Sequence, residues 1–176
     1  MGRKFLLAVL AAALFAPGVF AQADLSATVP YRNMITDFTV VKKETAALLV
    51  IDAQNDLASP NNAAVSASIA QAVGMFRKAG RPIIHVVRLY DAAGSNADLF
   101  IRTQLQNGLK FLQPGMPGSE FIPGTVPPGT KLNFDILMRG GVQTISDIEF
   151  AIYKPRLNPF TRTNLDQFLK SQNTNA

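Results

Sequence analysis

Residues 46–60, AALLVIDAQNDLASP, decide the fold of this chain. An uninterrupted apolar run, Ala46 to Ile51, leads directly into an acidic residue, Asp52. An apolar run of this length that is bounded by charged residues is typical of a central parallel strand covered on both faces. Open α/β sheets place their ligand crevice at the carboxyl ends of such strands. The stretch therefore predicts an α/β fold with Asp52 at a ligand site.

The residues that follow continue the α/β pattern. Apolar residues at helical spacing predict a helix of about sixteen residues that ends before Gly80. The run RPIIHVVRL, residues 81–89, is rich in β-branched side chains and predicts a second strand. The predicted apolar face of the helix comprises Val65, Ile69, Ala72, Val73 and Phe76. Strand, helix and strand form a βαβ unit, which predicts a parallel, doubly wound sheet.

The rest of the chain predicts shorter elements. Helices are predicted within residues 96–112 and 131–141, and FAIYK, residues 150–154, predicts a third strand. The last predicted helix starts in TRTNLDQFLK, where Thr163 and Asp166 fit a capping box. Residues 114–130 hold five prolines and four glycines, so an irregular surface excursion is expected there.

The N-terminus has the pattern of a secretory signal peptide. A basic start precedes an apolar run from Phe5 to Phe15, and small-x-small triplets end at Ala21 and Ala23. This pattern predicts a signal peptide over residues 1–23, cleaved after one of these two alanines. The alternative is an N-terminal membrane anchor, but the apolar run is about half of the roughly 20 residues that a spanning helix needs.

The signal peptide sets the predicted domain limits and location. Residues 24–44 are interpreted as a lead-in segment and residues 45–176 as one domain. The mature protein is expected in the periplasm or outside the cell, with no membrane association after cleavage.

The composition narrows the classes of partner and chemistry. The net charge of +5 falls to +3 when residues 1–23, which carry Arg3 and Lys4, are removed. This small excess comes without a stripe of clustered basic and aromatic residues, so no nucleic-acid partner is expected. The sequence contains no cysteine, which excludes disulfides, zinc thiolate sites and cysteine catalysis by its own residues.

Three segments, in this order, resemble the isochorismatase-like hydrolase superfamily, which includes nicotinamidases and other C–N hydrolases. ALLVIDAQNDL, residues 47–57, resembles the opening strand with its D-x-Q-N-D-F signature, although Leu57 replaces the aromatic residue. AGRPIIHVVRL, residues 79–89, resembles the second strand of the superfamily. AIYKPRLNPFTRTNLDQFL, residues 151–169, resembles its K-x-R-x-x-x-F-x-x-T-x-L element.

The resemblance implies a three-layer α/β/α domain around a parallel, Rossmann-like sheet of six strands, of which this chain would supply only part. The catalytic Asp and Lys of the superfamily correspond to Asp52 and Lys154. The nucleophilic Cys lies in an element beyond the last matched helix, so no residue of this chain receives that role. One branch, the isochorismatases that cleave a vinyl ether, uses the Asp as an acid without a nucleophilic Cys.

Each of these residues also has a structural interpretation. Asp52 alone is compatible with a helix-cap or loop acid, and Lys154 with a surface lysine at a strand end. The only histidine, His85, lies within the apolar run IIHVV and is expected to be a satisfied core residue. Some nicotinamidases bind a metal through an Asp and histidines, and one histidine cannot build that site. No metal and no cofactor are therefore expected.

Three functions are compatible with the sequence. The first is hydrolysis of a small amide or a related small-molecule substrate. The second is a catalytically inactive family member, in which an exposed strand edge would make residues 24–176 poorly soluble or homo-oligomeric. The third is a periplasmic binding or interaction protein unrelated to hydrolysis.

Overall fold

The computed structural model describes residues 42–58 and 63–174, so the predicted signal peptide and nearly all of the predicted lead-in segment lie outside the described residues. The strands are β1 (Leu48–Ile51), β2 (Ile83–Arg88), β3 (Val142–Ser146) and β4 (Glu149–Lys154). The α-helices are α1 (Ala63–Lys78), α2 (Leu99–Gln106), α3 (Phe134–Met138) and α4 (Leu165–Ser171). Short 3₁₀ helices cover Lys43–Thr45, Asn55–Leu57 and Pro117–Ser119. Within the described residues, no helix has the length and apolar character needed to cross a membrane.

The four strands form one mixed sheet in the order β1-β2-β4-β3. Strands β1, β2 and β4 are parallel, which confirms the α/β class and the βαβ unit. The expectation of an all-parallel sheet is wrong for β3, which runs antiparallel to β4. Only Asp147 and Ile148 separate these two strands. A connection of two residues can join only antiparallel neighbours, so this hairpin fixes the direction of β3.

The expectation that β1 is a central strand is also wrong for the described residues. Among them, β1 pairs with β2 alone and lies at the edge of the sheet. Its last residue, Ile51, is 43% exposed, whereas all six residues of β2 are buried. The continuous apolar pattern of β1 therefore does not correspond to burial on both faces in this part of the chain.

Alternate residues of the parallel strands face two different helical layers. On one face, Ile83 packs with Val73 of α1, and Val87 packs with Leu137 of α3. On the other face, Ile84, Val86 and Ile152 pack with Leu165 and Leu169 of α4. This alternation follows from the two-residue period of a strand. It gives the helix–sheet–helix layering that the resemblance implied.

Helix α1 has the predicted length of sixteen residues, and Gly80 follows it with a φ of +62°. Val73 is fully buried, and Ile69 and Phe76 pack against the same cluster. Val65 was expected on this face but is exposed. The apolar face of α1 that contacts the sheet therefore starts near Ile69.

Helix α2 is shorter than the predicted range of 96–112. It ends at Gln106, and the chain turns at Gly108, which has a φ of +95°. Leu105 and Leu112 are buried, whereas Leu99 is exposed. Leu112 therefore reaches the core from the loop after the helix.

Residues 114–130 were expected to form a surface excursion, and this is wrong for their central part. Ser119, Phe121, Ile122 and Thr125 are buried. Backbone hydrogen bonds connect this segment to the residues after β1, with Asn55 N donating to the carbonyl of Glu120 (2.9 Å) and Ile122 N to that of Ala53 (3.1 Å). Buried backbone needs such partners, and β1 supplies them through its C-terminal extension.

The capping box expected at the start of α4 is absent. Helix α4 starts at Leu165, and the side chain of its N-cap residue, Asn164, makes no capping hydrogen bond. The Thr163 hydroxyl donates to the carbonyl of Pro159 instead, at 2.6 Å. The apolar face was predicted correctly, since Leu165 and Leu169 are buried.

Candidate active site

Three charged residues lie at the carboxyl ends of three consecutive strands of the sheet. Asp52 directly follows β1, and Arg88 and Lys154 are the last residues of β2 and β4. Arg88 and Lys154 are register partners, and Asp52 N donates to the carbonyl of Val86 on β2 at 3.0 Å. Because the carboxyl ends of parallel strands meet at one edge, the fold brings these side chains together.

Lys154 forms an ion pair with Asp52 across the strand between them. Its Nζ lies 2.8 Å from Oδ2 of Asp52 and also donates to the carbonyl of Leu157 at 3.0 Å. Neighbouring strands are about 4.8 Å apart, so the Lys154 and Asp52 side chains together bridge roughly 10 Å over the end of β2. The Lys154 side chain is only 1% exposed, so the interpretation as a surface lysine is wrong.

Asp52 has an unusual backbone and a partly open side chain. Its φ of +60° lies in the left-handed region, which costs free energy for a residue other than glycine. The side chain is 29% exposed, and Oδ1 has no hydrogen-bond partner among the described residues. Both cationic contacts are made by Oδ2, so Oδ1 is the oxygen left for another group.

Arg88 is the second cation beside Asp52, and the sequence analysis did not identify it. Its Nη2 lies 3.4 Å from Oδ2 of Asp52, and its Nη1 donates to the hydroxyl of Tyr90 at 3.0 Å. Burial raises the pKa of the Tyr90 phenol above its ordinary 10.0, although the Arg88 guanidinium acts in the opposite direction. The sequence does carry a signal for Arg88, because a charged residue at the end of a buried strand is unusual.

A second carboxylate, Asp98, lies behind Arg88. Its Oδ2 is 4.0 Å from Nη1 of Arg88, and its Oδ1 is 3.9 Å from Nε of Arg156. These separations are too long for hydrogen bonds. Arg156 instead donates through Nη1 to the carbonyl of Asn96 at 2.6 Å.

The other polar residues after Asp52 hold the backbone around the site. The Gln54 side chain is fully buried, donates to the carbonyls of Arg88 (2.9 Å) and Ser119 (2.6 Å), and accepts from Arg88 N at 2.7 Å. Asn55 donates to the carbonyl of Pro117 at 2.9 Å. Asp56 accepts from Leu112 N at 2.7 Å. These three side chains connect the end of β1 to β2 and to two loops, which is a structural role.

His85 lies in the core, as predicted. Its Nε2 is 2.8 Å from Oε1 of Glu149, which also pairs with Arg77 at 2.7 Å. Burial alone would raise the pKa of Glu149, but the hydrogen bonds from His85 and Arg77 outweigh it and hold the pKa below the ordinary 4.5. Within residues 42–58 and 63–174, no group of three or more His, Asp or Glu side chains is arranged to hold a metal ion.

The cluster has the parts needed for proton transfer beside positive charge. Oδ1 of Asp52 is buried and has no hydrogen-bond partner among the described residues, and Lys154 and Arg88 place two cations within 3.4 Å of the same carboxyl group. Such an arrangement can transfer a proton and stabilise negative charge that develops on a substrate oxygen.

Comparison with known families identifies one match. The isochorismatase domain matches residues 46–176, which is most of the chain and includes Asp52, Arg88 and Lys154. No curated protein matches the sequence at a significant level.

Solved structures share this fold. An isochorismatase family protein from Desulfovibrio vulgaris subsp. vulgaris str. Hildenborough is 26% identical with a TM-score of 0.59, and the match covers 74% of this chain and 63% of that one. An isochorismatase from Pseudomonas putida KT2440 is 27% identical with a TM-score of 0.51, covering 82% and 59%. N-carbamoylsarcosine amidase from Thermoplasma acidophilum is 23% identical with a TM-score of 0.51, covering 73% and 62%, and shows the fold alone. The matched part of this chain thus spans about three fifths of the length of these structures.

Proposed function

Because this chain belongs to the isochorismatase family of hydrolases, we propose that it hydrolyses a small molecule and that the bond cleaved is an amide C–N bond. The observation that carries the proposal is the ion pair of Asp52 and Lys154, at 2.8 Å, at the carboxyl edge of the sheet. An amidase among the proteins of the same fold supports the amide as the reacting group.

Asp52 is the proposed acid and base. Its Oδ2 is held by Lys154 and Arg88, whereas Oδ1 has no partner among the described residues. The side chain is 29% exposed, but Oδ1 itself is buried, so a substrate reaches this oxygen only by displacing the atoms that cover it. A positioned carboxyl group that takes and returns a proton contributes about 10²–10⁴-fold to a rate.

Lys154 is the proposed electrostatic partner. Its buried ammonium group supplies positive charge next to the reacting centre, where burial strengthens electrostatic interactions. This charge orients the Asp52 carboxyl group and opposes the negative charge that forms on the carbonyl oxygen during attack.

Among the described residues, the side chain of Asp52 contacts Lys154 and Arg88 but no side-chain nucleophile, so we assign the role of nucleophile to water. Asp52 takes a proton from the attacking water while the oxygen of that water bonds to the amide carbon. The same proton is then given to the amide nitrogen as the C–N bond breaks, which releases an amine and a carboxylic acid. One water is consumed for each bond cleaved, and Asp52 returns to its starting form.

The test is a hydrolysis assay on a panel of small primary and N-substituted amides, with release of ammonia or amine as the readout. We expect Asp52→Asn to lower the turnover of the best substrate by about 100-fold or more. The matched control is Asp166→Asn, because Asp166 is exposed and its ion pair is with the exposed Lys170, at 2.7 Å. Equal turnover by the wild type and Asp52→Asn would overturn the assignment.

A second candidate is a family member that binds its ligand without cleaving it, because no side-chain nucleophile contacts Asp52 among the described residues. The two candidates differ in one measurement. Saturable binding of an amide with no product after prolonged incubation supports the binding protein, whereas product formation that depends on Asp52 supports the hydrolase.

We further propose that the protein is exported to the periplasm or secreted. The proposal is supported by the basic, apolar and small-residue regions of residues 1–23. Cell fractionation and N-terminal sequencing test it. A mature chain that starts at Gln22 or Asp24 is the expected result, and an intact Met1 on the cytoplasmic product would contradict it.

A further inference from the structure

We propose that the substrate carries a carboxylate and that Arg88 binds this group. The inference rests on the proposed function, because it names the substrate class of the same site. It is carried by the charges and by the unused hydrogen-bond donors around Asp52.

The charged groups at this edge of the sheet do not balance. The cations are Lys154, Arg88 and Arg156, and the carboxylates in contact with them are Asp52 and Asp98. Lys154 is matched by Asp52 at 2.8 Å. The two arginines share Asp98 at separations of 4.0 and 3.9 Å, which are ion-pair distances without hydrogen bonds. Within this set of contacts the cations outnumber the carboxylates by one.

Arg88 is the cation with unused donors. Its side chain is only 8% exposed, and its buried Nε has no hydrogen-bond partner among the described residues. Its two contacts are Tyr90 at 3.0 Å and a long one with Asp52 at 3.4 Å. Buried polar groups are nearly always satisfied, so an unpartnered arginine nitrogen indicates a ligand. The planar guanidinium has five donors in a fork that matches the two oxygens of a carboxylate.

The guanidinium is also fixed in place, which reduces the entropy lost on binding. The hydroxyl of Tyr90 accepts from Nη1, and its ring lies 6.0 Å from the Arg88 guanidinium carbon. Gln54 holds the Arg88 backbone through both its N–H and its carbonyl group. Tyr90 adds no negative charge that would compete with a ligand, because burial keeps the phenol protonated.

The carboxylate site lies beside the reacting group. Arg88 contacts the same Oδ2 that Lys154 contacts, and Asp52 is the most exposed of the three side chains. A solute that reaches Asp52 from solvent is therefore within a few ångströms of the guanidinium. Binding the carboxylate at Arg88 would place the rest of the same molecule beside the Asp52 carboxyl group.

The test compares the binding of benzoate and benzamide, which have almost the same shape but differ in charge. Isothermal titration calorimetry with the full chain at low and moderate salt measures both affinities. We expect benzoate to bind at least ten-fold more tightly than benzamide, with an affinity that falls as salt increases. Arg88→Met should weaken benzoate binding about ten-fold or more and should weaken benzamide binding much less.

Two further variants make the test decisive. Arg139→Met removes an exposed arginine from the end of α3 and should bind benzoate as the wild type does. Arg88→Lys keeps the charge but loses the fork, so it should show an intermediate affinity even if Arg88→Met fails to fold.

Equal affinities for benzoate and benzamide, no benzoate binding at all, or benzoate binding that is unaffected by Arg88→Lys and Arg88→Met would each overturn the inference. The measurement needs no turnover, so it is separate from the hydrolysis assay. If amide hydrolysis depends on Asp52 but benzoate does not bind, the proposed function stands and only the inference of a carboxylate on the substrate is overturned.

Discussion

The ammonium group of Lys154 lies 2.8 Å from Oδ2 of Asp52, although the two residues are 102 positions apart in the sequence. Strand β2 lies between the strand that precedes Asp52 and the strand that ends at Lys154. The contact is made possible by the buried path of the lysine side chain over the end of β2. Arg88, at the end of β2, joins the same carboxylate oxygen at 3.4 Å.

Lys154→Met should remove activity while leaving the protein folded. Methionine fills the space of the lysine stem, and the carboxylate left behind is 29% exposed and keeps Arg88. The carbonyl of Leu157 loses its donor, so we expect a loss of about 1–3 kcal/mol in the free energy of unfolding. Turnover should fall by about 100-fold or more. Thermal melts and the amide assay measure the two effects.

The matched control for this substitution is Lys170→Met, which breaks an exposed pair with Asp166. Such pairs are worth about 0.3–0.5 kcal/mol, and this one is remote from the active-site residues in the chain. A Lys154→Met variant with wild-type turnover would show that Lys154 is a structural residue only.

Gln54→Leu should be strongly destabilising, because the side chain satisfies three buried backbone groups. The substitution leaves Arg88 N and the carbonyls of Arg88 and Ser119 without this partner. Each buried polar group that loses its hydrogen bond costs about 1–3 kcal/mol, so we expect a loss of about 3 kcal/mol or more. Urea unfolding measures it, with the exposed Gln167→Leu as the control. Equal midpoints for the two variants would contradict the structural role of Gln54.

Gly118→Ala and Gly74→Ala should have opposite effects on stability. A Cβ at Gly118 would collide with the carboxylate of Asp56, which accepts a hydrogen bond from Leu112 N at 2.7 Å. Overpacking of this kind costs about 1–3 kcal/mol. A Cβ at Gly74, within α1, meets nothing within 4 Å, and alanine there should stabilise the helix by about 0.5–1 kcal/mol.

Chemical denaturation of both variants gives the comparison. The cost of Gly118→Ala should shrink in the background of Asp56→Ala, since the colliding group is gone and contacting residues are not additive. Full additivity of the two substitutions would mean that the collision is not the cause.

The sequence predicts the βαβ unit and two of the three charged residues because both depend on local pattern. The helical spacing of apolar residues in the sixteen-residue α1 and the apolar run of β2 are each visible within one segment of the sequence. Asp52 and Lys154 belong to recognisable motifs. Strand β3 was missed because its residues, VQTIS, lack a regular alternation of apolar and polar side chains and lie at the edge of the sheet. Its direction depends on a two-residue hairpin.

The remaining features depend on contacts that are distant in the sequence. Arg88 joins Asp52 only because the register of β2 places its last residue beside the ends of β1 and β4. Prolines and glycines in residues 114–130 indicate turns, but they do not indicate whether the side chains between them are buried. Phe121 is buried there because Gln54 forms a bridge with it and Gln54 itself is held by β2.

Glu149 should make the protein less stable in acid. Its pKa is below the ordinary 4.5 in the folded chain, because the bonds from His85 and Arg77 outweigh the effect of burial. The unfolded chain therefore binds more protons than the folded chain in the acid range. The stabilisation is complete above the unfolded pKa, near 4.5, and is lost as the pH falls through the lower folded pKa.

Urea midpoints measured from pH 7 down to pH 3 test this dependence. Glu149→Gln should be less stable at pH 7 and should lose less on acidification, because the group that titrates has been removed. Part of the loss of stability in acid should persist in Glu149→Gln, because the pKa of Asp91 is also lowered. Burial acts to raise the pKa of Asp91, but the hydrogen bonds from Ser95 and Asn96 outweigh it. Asp166→Asn, at an exposed site on α4, is the control and should follow the wild-type curve. If Glu149→Gln loses as much stability as the wild type between pH 7 and pH 3, the contacts of Glu149 with Arg77 and His85 are not the cause of the loss of stability in acid. Asp91 then becomes the residue to substitute next.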